Sequence, residues 1–445
     1  MAELLSELIE EAVASPESGE SAAIAEAMLV EDADDIALFL ESLPVEQRLS
    51  AWQEVPDSKK LEVLVDMRAD PREPIIDRSD SSDWEKLFKD IDAEQLLELA
   101  NSLPDKIVGQ ALSAMDRQQQ QYFTDASAYA ENQIGHWLSH EILALPLTAK
   151  VRDALRLIRR NVPDHADSIF LLNRAGQFST AVKLTSVFGA PEHVPLVELA
   201  EEYIDIIKGA DDCTAAARLV QDSGFSSLPV VDEDNRLLGR IDITNACELV
   251  NEYYERQVMS SAGMDEEEDL FAPVRKSAKS RAIWLGVNLL TAFLASWFIG
   301  LFEATLQQVV ALAVLMPVVA SMGGIAGSQT LTLIVRGLAL GQVTNANRKA
   351  LLDKELRVGG LNGVVWAIVI GIVAYFWFSE PLLGLVIGLA ILVNIITAAI
   401  AGVLLPVILN KLKIDPALSG SVILTTVTDI VGFVAFLGLG TLFLL

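Results

Sequence analysis

The chain has 445 residues, is 51% hydrophobic with mean hydropathy +0.37, and still carries a formal net charge of −28. Division after Pro273 separates these properties: residues 274–445 hold 11 Lys+Arg and 6 Asp+Glu, leaving 22 and 55 for residues 1–273. An acidic aqueous part joined to a weakly basic apolar part excludes a uniform soluble enzyme, and the acid excess excludes nucleic acid, since phosphate binding requires a basic face.

Residues 1–132 read as helices only. DADDIALFLESLP, VEQRLSAWQEVP, KKLEVLVDM, AEQLLELANSLP and KIVGQALSAMD place apolar residues at helical spacing, several closed by Leu-Pro or Val-Pro. The echo of ESLPVEQ in NSLPDKI predicts an all-α superhelical domain, an architecture that binds or relays rather than catalyses. The opening MAELLSELIEEAVASPESGE is acidic where a secretory signal needs a basic start and an apolar core. Insertion into a membrane therefore falls to internal segments.

After about residue 138 the pattern alternates between helices and β-rich runs. KVRDALRLIRR, SIFLLN, a Gly turn and STAVKLTSVF are followed by TAAARLVQDSG, SLPVVD, EDN and RLLGRIDITNA in the same order. This predicts a tandem α/β pair over 133–198 and 199–250, and SSLPVVDEDNRLLGRIDITNA resembles a CBS domain. Many CBS pairs bind adenosine nucleotides such as ATP through an acid on the ribose, and Asn245 stands at that position here. Cys213 and Cys247 lack a CxxC pattern, so neither a zinc site nor a disulfide framework is expected. His136, His140, His165 and His193 show no nucleophile or metal-site spacing and no phosphate-binding loop is present, so an enzyme is the least supported class.

Residues 251–281 form an acidic, helical connector. Glu248, Glu252 and Glu255 share a helix face, and residues 265–269 are acidic without interruption. Most charge runs are solvated surface. The functional alternative is that clustered carboxylates repel one another until a hard divalent cation neutralises them.

The apolar part, 282–445, contains charge-poor stretches at 282–302, 304–335, 358–378, 381–409 and 420–445. The first has no charge in 21 residues, enough at about 1.5 Å per residue to cross about 30 Å of hydrocarbon. The second carries Pro317 and the run Gly323, Gly324, Gly327, which predicts a broken or closely packed middle. All 11 basic residues of 274–445 fall before the first span, around the loop from the second to the third, or in the turn from the fourth to the fifth. With five crossings, positive charge on the inside predicts a cytosolic N-terminus and Leu445 outside.

Asp429 is the ionisable residue expected deepest in a span, on a stripe with Ser421, Thr425, Thr428 and Gly432. The second span offers Pro317, Ser321, Gly324, Ser328 and Thr332, with Gln329 beside them, and two such faces can line a wet pore. Asn394 in the fourth span is a further polar candidate, although such a residue more often bonds a neighbouring helix. Gly323-xxx-Gly327, Gly359-xxx-Gly363 and Gly384-xxx-Gly388 are spacings that serve close helix packing.

These residues together resemble the MgtE family of magnesium channels over nearly the whole chain. PVVASMGGIAGSQTLTLIVRGLALG (317–341), VNIITAAIAGVLLP (393–406) and DPALSGSVILTTVTDIVG (415–432) carry the resemblance most strongly. It implies a multidomain protein of a bacterial inner membrane, in which two subunits form a homodimer with the pore between them, lined by the second and fifth spans. The pore aspartate falls on Asp429, with backbone near Thr425 and Gly432 completing the ion's outer shell. It also implies closure by cytosolic Mg²⁺ held between the helical domain, the CBS pair and the connector, for which Glu248, Glu252, Glu255 and Asp415 are candidates. Three motifs depart from the family pattern: GGIAGSQ places Ile325 where an amide is usual, Ser421 replaces a proline, and Arg256-Gln257 replaces an acidic pair. Two rival readings remain: a carrier or channel for another divalent cation such as Co²⁺, Mn²⁺ or Ca²⁺, or an ion-coupled exporter, and, from another class, a membrane-anchored CBS sensor that transports nothing.

Overall fold

The computed structural model describes the chain except residues 1–7, 11, 14–21, 80–83, 85, 86, 89, 90, 161, 164 and 266. Most of the acidic N-terminal segment and Glu266 of the acid run thus lie outside the described residues. The described chain forms two compact units, one of residues 1–255 with 266–273, the other of residues 256–265 with 274–445.

In the first unit the acidic domain is helical: α1 (Ala22–Val30), α2 (Ala33–Glu41), α3 (Val45–Glu54), α4 (Lys60–Asp66), α5 (Ala69–Arg78), α6 (Ala93–Ala100), α7 (Asp105–Ala114) and α8 (Arg117–Ala126). The echoed Ser-Leu-Pro has one structural role in both copies. Leu43 and Leu103 are buried in the shared core, and Pro44 and Pro104 occupy the N-cap positions of α3 and α7. There the missing N–H removes no helical bond, and the ring starts the next turn.

The α/β pair follows as β1 (Ala144–Pro146), α9 (Val151–Ile158), β2 (Ser168–Leu172), β3 (Phe178–Lys183) and α10 (Leu184–Phe188), then β4 (Ile207–Lys208), α11 (Cys213–Ser223), β5 (Ser227–Val231), β6 (Leu237–Asp242) and α12 (Ile243–Ser261). Each sheet has a parallel pair followed by an antiparallel one, with an irregularity at the same place, Leu171/Leu172 and Val230/Val231. That coincidence identifies the two halves as copies. They are joined by Phe178 N donating to Asn235 O and Asn235 Nδ2 donating to Phe178 O, both at 2.9 Å.

One boundary differs from expectation. Ile134, Trp137 and Leu138, expected to enter the first module, pack in the core of the second, with Ile207, Val220 and Leu228. Tyr129 explains the arrangement: its ring lies against both Gly135 and Gly209, where a Cβ would stand 2.6 and 2.8 Å from it. Apolar side chains there follow the nearest free sheet face rather than chain order.

The second unit contains α13 (Val274–Gly300), the short α14 (Glu303–Gln308), α15 (Val310–Ala339), α16 (Arg348–Phe378), α17 (Pro381–Lys411) and α18 (Pro416–Leu444). Among the described residues, five of these are long and apolar enough to cross a membrane. The observed helices overrun the charge-free stretches, and a side-chain cap, where one is present, sets the end in place of hydropathy. Asp415, for example, starts α18 by accepting Ala417 N at 2.7 Å. Of the two expectations for the middle of the second span, broken or closely packed, the structure has the second: α15 runs unbroken through Pro317, Gly323 and Gly324, with Gly323 and Gly327 packed against Asn394 and Leu424, and the chain turns earlier, at Val309, between α14 and α15.

Candidate cation sites

The glycines of α15 and α18 set how these helices meet. A Cβ on Gly327 would stand 3.0 Å from Leu424, one on Gly420 3.1 Å from Leu331, one on Gly432 3.2 Å from Val319 and one on Gly440 2.9 Å from Leu312. These pairs define an antiparallel register that puts Asp429 level with Met322 and Gly323.

The two expected stripes separate into an outer and an inner set. On α15, Pro317, Ser321, Ser328, Gln329 and Thr332 are exposed and Gly324 is half-buried with open space above it. On α18, Thr425 is exposed while Ser421 and Asp429 are half-buried, and Thr425 Oγ1 donates to Ser421 O at 2.9 Å. Gln329 faces a cavity shared with α16 and α17, and the others form an uncovered polar face on the unit. Thr428 and Gly432 point inward instead.

Asn394 is also inside rather than on that face. It is fully buried on α17 and its Nδ2 donates to Val319 O at 2.9 Å. A Cβ on Gly432 would stand 2.6 Å from the same nitrogen, and one on Gly323 would collide with it. Gly323 and Gly432 are therefore small so that α15 and α18 can close on Asn394. Its Oδ1 has no hydrogen-bond partner among the described residues.

In the first unit, the acids that sequence reading singled out meet others that it missed. Glu248 and Glu252 of α12 line a cleft with Asp92, Glu94 and Glu98 of the helical domain. Asp66 lies at the same junction: although its side chain keeps an exposed edge, partial burial, then the charges of Glu62, Asp34, Glu248 and Glu98, push its pKa up to about 6. Glu248 is likewise raised, by burial first and then by Asp242, Asp34 and Glu98. Glu255 acts electrostatically on Arg68, whose guanidinium is held by Glu41 at 2.6 Å. Asn245, at the position of the ribose acid, lines the acidic cleft. Asp415 is in the second unit and is engaged as a helix cap. Among the described residues no group of three or more His, Cys, Asp or Glu side chains is arranged to hold a metal ion. What the patch supplies is crowded negative charge that a cation relieves. Glu62, Asp66 and Glu98 carried no sequence signal, because an acid on a short amphipathic helix looks the same whether it faces water or a neighbouring domain.

An acidic helical domain and a CBS-type pair, followed in the chain by five apolar spans with an uncovered polar face, define a multi-pass integral membrane protein. Three family models match: a divalent cation transporter model (MgtE) over residues 316–439, the MgtE intracellular N domain over 31–132, and the CBS domain over 197–252. A magnesium transporter MgtE of Bacillus subtilis is 27% identical over 361 residues, 80% of this chain and 79% of its own. That of Thermus thermophilus is 27% identical over 321 residues, 71% of each chain. Among solved structures, the cytosolic domain of the Mg²⁺ channel MgtE in complex with ATP matches at 20% identity and a TM-score of 0.47, covering 54% of this chain and 98% of that one. The CBS pair of an Mg²⁺ transporter of Shewanella oneidensis matches at 31% identity and a TM-score of 0.33, covering 38% and 98%. The chain belongs to the MgtE family of divalent cation transporters.

Proposed function

We propose that this protein is a Mg²⁺ channel of the bacterial inner membrane that works as a homodimer and is closed by cytosolic Mg²⁺. The observation that carries the reading is the uncovered face that holds Asp429 and Thr425 of α18 beside Ser321, Gly324 and Ser328 of α15. Paired across a two-fold axis, two such faces bring two Asp429 carboxylates together around a central path. Mg²⁺ dehydrates reluctantly and prefers octahedral oxygen, so two carboxylates hold its water shell without stripping it. Thr425 and Ser421 supply oxygens along the same face. Hydrated cations then bind well enough to enter and weakly enough to leave.

Closure follows from the acidic patch. Cytosolic Mg²⁺ between Glu248, Glu252 and the carboxylates of the helical domain favours their close approach, and its loss leaves those surfaces in mutual repulsion. Linkage requires the ion to bind the closed state more tightly than the open one. Relatives described as magnesium transporters support the choice of ion.

A second reading, transport of Co²⁺, Mn²⁺ or Ca²⁺, rests on Ile325, which is 57% exposed on α15 and offers no oxygen. Flux of Mg²⁺, Co²⁺, Mn²⁺ and Ca²⁺ into proteoliposomes, with and without millimolar internal Mg²⁺, tests both. Mg²⁺ entry suppressed by internal Mg²⁺ supports the gated channel, a preference for another ion supports the second reading, and no flux of any ion favours an anchored sensor.

A further inference from the structure

The membrane unit holds a second carboxylate, more deeply buried than Asp429. Glu355 of α16 is 4% exposed. Its Oε2 accepts Thr330 Oγ1 of α15 at 3.1 Å, and its Oε1 pairs with Lys354 Nζ at 2.5 Å. The carboxylate lines a half-open cavity of about 430 Å³ between α15, α16 and α17, where Thr330, Gln329 and Asn362 share an otherwise largely apolar wall that includes Met322 and Trp366. A water molecule's share of liquid volume is about 30 Å³, so the cavity has room for a cation that keeps part of its water shell.

The two partners of Glu355 differ in kind. Thr330 is buried and fixed on α15, whereas the Lys354 side chain is 57% exposed and lies on a flexible four-carbon stem. A buried carboxylate is costly unless a counter-charge or a proton neutralises it. Lys354 supplies the counter-charge from the solvent side and can leave without disturbing the packing beneath. Where an ammonium rests against a carboxylate, the local field favours a cation. The remaining groups, a hydroxyl and two side-chain amides, offer the hard oxygens that alkali and alkaline-earth cations take.

We propose that Glu355, Thr330, Gln329 and Asn362 form a cation-binding site distinct from Asp429, which Lys354 fills with its own ammonium until a metal cation displaces it. Because Thr330 stands beside Gln329 and close to Ser328, occupancy joins α16 to the helix that carries the polar face. The site rests on this geometry alone and does not depend on the transport reading.

Dicyclohexylcarbodiimide, which modifies protonated carboxyl groups in apolar surroundings, reads the site at the residue itself. The full chain in nanodiscs is treated with the reagent and modification of Glu355 is measured by peptide mass spectrometry, in the presence of choline, Na⁺ or Mg²⁺. Wild type is expected to label weakly, Lys354→Arg equally weakly, and Lys354→Gln several-fold more. In Lys354→Gln, Na⁺ or Mg²⁺ is expected to suppress labelling several-fold relative to choline, and the ion that protects at the lower concentration identifies the class. Adding Thr330→Val is expected to weaken protection, and adding Asp429→Ala to leave it unchanged. The proposal is overturned if Lys354→Gln labels no more than wild type, if neither metal ion protects, or if protection disappears with Asp429.

Discussion

Arg48 and Asp269, separated by 221 residues in the chain, form a bidentate ion pair closed to solvent, with N–O distances of 2.7 and 2.9 Å. The same guanidinium donates to the carbonyls of Leu40, Leu43 and Pro71, so one side chain fastens α2, α3 and α5 to the segment that precedes α13. Ala69 N, at the first turn of α5, donates to Glu267 beside it at 2.6 Å. Part of the acid run is thus a strap on the helical domain rather than a free cation-binding surface.

Breaking that pair leaves a buried guanidinium without its counter-charge. Asp269→Asn is expected to destabilise the attachment by about 3 to 5 kcal/mol, the usual cost of removing one partner of a buried pair. In detergent, the variant should show a lower thermal midpoint and faster proteolysis within residues 264–273 than wild type. Equal protection of that segment would mean that the other contacts suffice to hold it.

The contacts of Asn394 predict a contrast between adjacent glycines. Gly323→Ala and Gly432→Ala drive a methyl group into the amide and should each cost about 1 to 3 kcal/mol, as overpacking does. Gly324→Ala meets open space and should leave the thermal midpoint unchanged or slightly raised. Thermal unfolding of the three variants checks the order, and equal losses at Gly323 and Gly324 would contradict the packing described.

The acidic patch sets a pH dependence. Asp66 holds its proton more tightly in the folded protein, its pKa raised from 3.8 to about 6. Its contribution to stability is therefore fully present below about pH 3.8 and is lost as pH rises through about 6. A cation that relieves the ionised patch should accordingly raise the thermal midpoint more at pH 7.5 than at pH 5. Asp66→Asn should shrink that difference, and a Mg²⁺ effect independent of pH would separate the patch from cation binding.

Charge reversal at Glu252 and Glu255 removes both cation ligands and mutual repulsion, and should change the internal Mg²⁺ concentration that halves flux. An unchanged dose response would make both acids ordinary surface.

The membrane spans were legible because 21 residues without charge leave few alternatives, and the tandem α/β pair because its two strand patterns recur in order. Other features depend on contacts that no local pattern reports. Glu355 lay outside the charge-free stretch 358–378, yet α16 starts at Arg348 and carries it into the packed interior. Gly323 and Gly324 looked alike in sequence, but one faces Asn394 and the other faces open space. Pro317 and the glycines left a broken and a closely packed middle equally open, and the packed one is found because Gly323 and Gly327 let Asn394 and Leu424 approach α15. Arg48 carried no signal at all, since its partner Asp269 lies 221 residues further along the chain.

The most direct test of the central claim is Mg²⁺ flux through Asp429→Ala in proteoliposomes, with wild type alongside and thermal unfolding of both as a check of folding. The account predicts a folded variant whose Mg²⁺ flux is abolished or strongly reduced. Wild-type flux through a folded Asp429→Ala protein would remove Asp429 from the ion path and with it the proposed pore.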